Sequence, residues 1–262
     1  MSELLNRSLI RLEHVEKSFN DEHLVFENLS LSIQPGEFVS IIGPSGCGKS
    51  TILRLIAQLE QPTSGIVSTP FTNGHHSGDV AYIFQEPTLM PWSNVFDNVW
   101  LPLRLKGLSR TEAAPAIQDA LGVVGLTDFA AALPNQLSGG MRMRVSIARA
   151  FVTKPRVLLM DEPFAALDEI SRSRMADDLL KTWESSGASV VMITHNVSDA
   201  VYLSQRVLVM TNRPTRVFQD TRIHLPYPRE ENLRLSMPFI EQVSQLGTAL
   251  NLASHAASEA SA

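Results

Sequence analysis

The run Gly43-Pro44-Ser45-Gly46-Cys47-Gly48-Lys49-Ser50-Thr51 has the residue types and spacing to hold a polyphosphate. It fits G-x-x-x-x-G-K-[ST], between an apolar run, Glu37 to Ile42, and apolar residues Ile52, Leu55, Ile56 and Leu59 at helical spacing. Glycines let successive backbone N–H groups turn toward one anion, and the positive end of the following helix adds to the attraction. Lys49 is placed to bridge the β- and γ-phosphates of a nucleoside triphosphate. The Ser50 hydroxyl is the kind of oxygen ligand that magnesium takes. Cys47, beside Lys49 and the helix N-terminus, is expected to carry a thiolate more readily than a free cysteine, and bound nucleotide to protect it.

A second set of groups lies at the ends of other apolar runs. Val157-Leu158-Leu159-Met160-Asp161-Glu162 delivers two adjacent carboxylates at a strand C-terminus, where ligands collect in open α/β sheets. Asp161 suits a magnesium ion, held directly or through water, and Glu162 suits a general base that takes a proton from attacking water. Gln85 follows Val80 to Phe84 and can reach both magnesium and that water; His195 follows Val190 to Thr194 in the same way. A single Gln or His after a strand also serves structure, so these two gain meaning from their company. Leu137-Ser138-Gly139-Gly140 opens a helical pattern through Met143, Val145, Ile147 and Ala150, and offers a hydroxyl and exposed N–H groups at a helix N-terminus. One chain with a complete phosphate loop and a further anion-binding terminus implies a phosphate approached from two sides, hence two protomers sharing a nucleotide.

Positioning these groups calls for an α/β fold with a largely parallel sheet, because short buried runs alternate with helical patterns. The four runs just named are its strands. Between Pro87 and Pro155 the strand signal fades and helical spacing appears over Thr111 to Leu121 and Met141 to Val152, which reads as a helical insertion at about 88–155. The catalytic domain spans 1–230. Residues 231–262 hold one amphipathic helix, Met237 to Leu250, and an Ala/Ser-rich end from Ser254 expected to fray. Ser68 to Asp79 reads as a loop in which His75 and His76 are solvated.

Composition removes several alternatives. The 262 residues carry 22 Lys+Arg against 27 Asp+Glu, a net charge of -5 that disfavours nucleic acid as a partner. One cysteine excludes an internal disulfide and any multi-cysteine metal site. The sequence has no long apolar run and no apolar leader after Met1, so a cytoplasmic protein is expected.

Taken in order, these motifs resemble the ATP-binding subunit of an ABC transporter, from about residue 8 to about residue 229. The resemblance implies a P-loop ATPase core with an antiparallel β subdomain and an inserted helical subdomain, using ATP and magnesium. It makes Gly43 to Thr51 the Walker A loop, Gln85 the Q-loop and Ser138, Gly139 and Gly140 the signature. Asp161 and Glu162 close the Walker B strand, Asp168 lies in the D-loop, and His195 is the switch histidine reaching the γ-phosphate. Phe19 matches the aromatic that stacks on adenine, a role a flat ring can fill, although a phenylalanine between two strand-like runs also suits a core. Magnesium then has Ser50, Gln85 and Asp161 as ligands. The sequence departs from the family pattern at Met141 and Met143, where glutamines are usual, and at Ala165, where serine is common. Polar side-chain contacts from those positions do not carry over.

Phe84-Gln85-Glu86-Pro87 with Leu89-Met90-Pro91-Trp92, then Asp97 to Leu103, is similar to the branch importing nitrate, sulfonates and taurine. The resemblance implies two membrane-spanning permease subunits as partners, a second copy of the chain, and a solute-binding protein acting indirectly. Its place is the cytoplasmic face of the membrane. Trp92 suits an interface anchor or a packed core position. An exporter or lipid-extraction ATPase shares the same core, and a soluble ABC protein acting on ribosomes or DNA is a further alternative.

Overall fold

The computed structural model describes residues 8–19, 24–71 and 79–256. The chain divides into two units, one made of Met1–Thr72 with Ser189–Ala262, the other of Asn73–Ala188.

The first unit begins with an antiparallel sheet, β1 (Ile10–Ser18), β2 (Leu24–Ile33) and β4 (Ser64–Ser68), in the order β2-β1-β4. Alternation buries Ile10, Leu12 and Val15 of β1 on one side, as expected for a half-covered sheet. Its pairing slips between Leu12 and Val15, and His14 there has φ 48. The bulge forces a glycine opposite, because a Cβ on Gly65 would lie 2.4 Å from the His14 carbonyl oxygen.

The same unit holds a parallel run in which β3 (Phe38–Ile42) lies between β7 (Ser189–Ile193) and β8 (Arg206–Met210). All five residues of β3 are buried, as the unbroken apolar run requires of a strand covered on both faces. Strand β9 (Val217–Arg222) closes the edge antiparallel to β8. Helix α1 (Lys49–Ile56) follows the loop after β3.

In the second unit β5 (Val80–Ile83) pairs in parallel with β6 (Val157–Asp161). Three helices pack together there: α2 (Val95–Leu105), α3 (Arg110–Val123) and α4 (Gly139–Phe151). Each starts at a side-chain cap, from Asn94, Ser109 and Ser138 respectively; Ser109 and Glu112 form a reciprocal capping box. Helix α5 (Glu169–Ser186) begins at Asp168 and ends at Gly187, whose φ of 66 suits a glycine stop.

The first unit ends with α6 (Val197–Leu203) and α7 (Met237–His255). The last helix runs beyond Leu250 to His255, so Ser254 and His255 are helical rather than frayed; the Ser254 carbonyl accepts from Asn212 Nδ2 at 2.7 Å. Ser68 belongs to β4 rather than to a loop, and His75 and His76 lie outside the described residues. Among the described residues no helix is long and apolar enough to cross a membrane.

Candidate functional site

The phosphate loop leaves the C-terminal end of β3 and closes on α1. Gly48 is the N-cap, with φ 113, and no side chain caps the helix; its first turn carries no acidic residue. Bare N–H groups at a positive helix end, with no competing carboxylate, fit an anion. The glycines are there for reasons of space. A Cβ on Gly48 would lie 2.4 Å from Val25 Cγ1, and one on Gly43 2.9 Å from Met210 Cβ. Lys49 is buried, and its ammonium donates to the carbonyls of Gly43 at 2.9 Å and Pro44 at 2.8 Å, so it spans the loop from within. Ser45 and Gly46 form the exposed tip.

Cys47 departs from the expectation of an activated thiol. The side chain is 1% exposed, and burial pushes the thiol up from its ordinary value despite Lys49 and Arg213 pulling it down. Desolvation of a thiolate outweighs two cations that are themselves partly shielded. The lone cysteine is a packed residue on the underside of the loop.

Strands β3 and β7 run side by side with Ile41 against Ile193, which brings the start of the phosphate loop and His195 to the same end of the sheet. His195 is exposed and precedes Asn196, the cap of α6. Phe19 is 39% exposed, with the Lys17 ammonium 4.7 Å from its ring centroid. It is therefore not a core residue.

In the second unit β6 ends at buried Asp161, and Glu162 follows in the left-handed region at φ 49. For a non-glycine residue that conformation costs about 1–2 kcal/mol, which marks a position where geometry is imposed on the chain. Gln85, just beyond β5, donates from Nε2 to Glu162 Oε2 at 3.3 Å. The parallel pairing of β5 and β6 thus brings these two sequence-distant groups together.

Ser138 caps α4 by accepting from the Met141 N–H at 3.2 Å, and its hydroxyl proton remains available to a phosphate oxygen. Gly140 is pressed against the segment before α5: a Cβ there would meet Leu167 Cδ2 at 2.8 Å. Asp168 caps α5 through the Ser171 N–H at 2.9 Å, and that backbone bond, with the Ser171 side chain, holds its carboxyl below the usual range. Arg172 donates to the Leu167 carbonyl at 3.3 Å, and Arg142 to that of Leu137 at 2.8 Å. Ser138 to Gly140 and Ala166 to Asp168 are therefore one packed piece.

Trp92 is 78% exposed, which rules out a packed core role. Sequence reasoning missed what presents it. Buried Asn98 accepts from the Met90 N–H at 2.8 Å and donates to the carbonyls of Met90, Ser93 and Asn94 at 3.2, 2.9 and 3.0 Å, clamping the loop that carries the indole. Arg149 of α4 likewise grips Thr88, at its carbonyl (2.9 Å) and hydroxyl (3.0 Å). Nearby, Tyr82, Leu101, Leu105, Arg149 and Thr153 line a hollow of about 270 Å³. An asparagine in a helical pattern carries no local sign of such a role.

A glycine-rich loop that runs from a parallel strand into a helix with a buried lysine is the kind of element that binds a nucleotide's phosphates. The chain matches the ABC transporter family over residues 26–165, and it belongs to that family. It is 48% identical over 219 residues to a putative ATP-binding protein of Brucella abortus biovar 1 (strain 9-941), covering 82% of this chain and 84% of that one. Against the nitrate import ATP-binding protein NrtD of Synechocystis sp. (strain ATCC 27184 / PCC 6803 / Kazusa), identity is 44%, covering 79% and 78% of the two chains. The aliphatic sulfonates import ATP-binding protein SsuB 1 of Pseudomonas savastanoi pv. phaseolicola (strain 1448A / Race 6) is 43% identical, with 85% and 89% covered. Among solved structures, a dimeric ATP-binding cassette in a post-hydrolysis state bound to ADP and Pi matches with TM-score 0.75 and 33% identity. That match covers 83% of this chain and 100% of that one. The chain is an ABC ATP-binding subunit and an ATPase.

Proposed function

We propose that this ATPase energises uptake of a small oxyanionic solute, of the nitrate, sulfonate or taurine class, through a separate permease. In the chemistry proposed, Lys49 leaves the Gly43 and Pro44 carbonyls for the β- and γ-phosphates, while the loop N–H groups hold the remaining oxygens. Phe19 stacks on the adenine. Glu162 takes a proton from the attacking water, with Gln85 orienting its carboxylate, and His195 contacts the γ-phosphate. Magnesium would be held by Ser50, Gln85 and Asp161 and would neutralise charge on the phosphates. These are hard oxygen donors, which suit an ion that takes much of its shell from water and phosphate. Ser138, Gly139 and Gly140 of a second copy would cover the γ-phosphate from the other side, with Asp168 beside them.

The observation that carries the importer reading is Trp92, an exposed indole on a loop clamped by Asn98, in a subunit with relatives named for nitrate and sulfonate import. An exposed aromatic on a clamped loop suits a permease helix docking at the cytoplasmic face of the membrane. A solute-binding protein would deliver the solute on the opposite side. The test is uptake of labelled nitrate, taurine and an alkanesulfonate in cells lacking this chain, complemented with wild type or Trp92→Ala. Wild type should restore uptake of one solute. Trp92→Ala should restore about a tenth of it or less, the loss expected for a central aromatic anchor, while the purified variant hydrolyses ATP normally. Full restoration by Trp92→Ala refutes the docking assignment. Unchanged uptake of all three solutes in the deletion strain refutes the solute class.

A further inference from the structure

The phosphate loop has an underside as well as a face, and one residue far along the chain holds it. Thr215 is fully buried, and its hydroxyl donates to the Cys47 carbonyl. Its own N–H donates to the Val25 carbonyl at 2.7 Å, in a short parallel bridge beside Phe26. Val25 and Phe26 are the side chains against which Gly48 is pressed. Thr215 therefore ties together the loop and the strand that supports it. It is itself fixed: it lies in a turn closed by the Thr211 N–H on the Arg216 carbonyl at 3.0 Å and the Arg216 N–H on Thr211 Oγ1 at 3.0 Å. Asn212 of that turn is anchored to the end of α7 through the Ser254 carbonyl.

We propose that Thr215 is a positioning residue for nucleotide binding, holding the phosphate loop in its anion-binding form before any nucleotide arrives. A peptide unit has two ends. Drawing the Cys47 carbonyl inward, away from the anion, leaves neighbouring N–H groups free to point outward, and the binding-competent loop is then the populated one. Without the hydroxyl the loop samples other forms, and apparent affinity falls by the fraction of competent loop that remains. This inference rests on Gly43 to Thr51 being the nucleotide site.

Cys47 is the chain's one cysteine, so its thiol reports on this loop without any nucleotide present. Thr215→Val keeps the shape and removes the donor. The expected result is a rise of about tenfold in the rate of Cys47 modification by a small disulfide reagent without ATP, the size that follows from one lost hydrogen bond. The KM for ATP should rise by about the same factor while kcat changes by roughly twofold or less. Thr215→Ser, which keeps the hydroxyl, should return both to near wild type. Wild-type thiol rate and KM in Thr215→Val overturn the proposal, as does a Thr215→Ser variant as impaired as Thr215→Val. If valine prevents folding, Thr215→Ala against Thr215→Ser makes the same comparison. Lys49→Ala separates the two readings. Wild-type ATP affinity in that variant refutes the site itself; lost affinity there, with Thr215→Val unaffected, refutes the role of Thr215 alone.

Discussion

Replacing Gly48 or Gly46 by alanine adds the same methyl group to the same loop, yet the two substitutions should differ in effect by well over tenfold. Gly46 has φ +75 and open space around a built Cβ. Alanine there meets only the left-handed backbone penalty, about 1–2 kcal/mol. Gly48 has φ +113, and its Cβ would lie 2.4 Å from Val25 Cγ1 and 3.1 Å from Phe26 Cε1, both on fully buried residues that cannot retreat into solvent. The backbone strain, about 1–3 kcal/mol, adds to about 1–3 kcal/mol for overpacking a filled core. The sum, near ~4 kcal/mol, is escaped by giving up the loop conformation. If binding must restore that conformation, the penalty appears as lost affinity. At about 1.4 kcal/mol per decade, Gly46→Ala should weaken ATP binding by roughly tenfold and Gly48→Ala by several hundredfold. Titration calorimetry with ATP and magnesium measures both, and a thermal melt separates loop loss from global unfolding. Folded Gly48→Ala binding ATP within about threefold of Gly46→Ala would falsify the reasoning that Val25 and Phe26 shape the loop.

Glu162→Gln keeps the side-chain shape and a partner for Gln85 but removes the proton acceptor, so turnover should fall by about 10²–10⁴-fold with ATP binding retained. If two chains enclose the nucleotide, this variant should run as a dimer with ATP and a monomer without it in gel filtration with light scattering. Adding Ser138→Arg should prevent the dimer, and near-normal turnover in Glu162→Gln would remove it as the base. For Cys47, burial places the folded thiol above its unfolded pKa of about 8.5, so the neutral thiol's contribution to stability is complete below that pH and is lost as pH rises through the folded value. Wild type should therefore lose melting temperature relative to Cys47→Ala as pH rises above about 8.5. Parallel melting curves over that range count against a buried neutral thiol.

Parts of the site that are contiguous in sequence were legible there. The phosphate loop, the Asp161-Glu162 strand end and the Ser138 helix start each pair a short motif with the element that positions it, and each element formed where the pattern placed it. The runs on either side of Phe19 read as strand-like, but their antiparallel pairing came only with the family resemblance, because the slip at His14 breaks the period of two that marks a half-covered strand. Asn98 and Thr215 were invisible for another reason. Their partners are carbonyls and N–H groups, which every residue has, so only the folded chain shows which ones they meet.

Cys47 shows most sharply how a local rule fails. The residues beside it, a lysine and a helix N-terminus, both favour a thiolate, and reading along the chain stops there. The fold adds the opposite term: Gly43, whose built Cβ would lie 3.4 Å from Cys47 Sγ, packs against the thiol, the side chain is 1% exposed, and Thr215 in the turn after β8 bonds the Cys47 carbonyl. Solvation, which no neighbour in sequence reports, then decides the sign. The same geometry explains why the position accepts a small apolar side chain. A tight loop needs something to fill the space beneath it, and a buried, neutral thiol does this while Lys49 holds the Gly43 and Pro44 carbonyls.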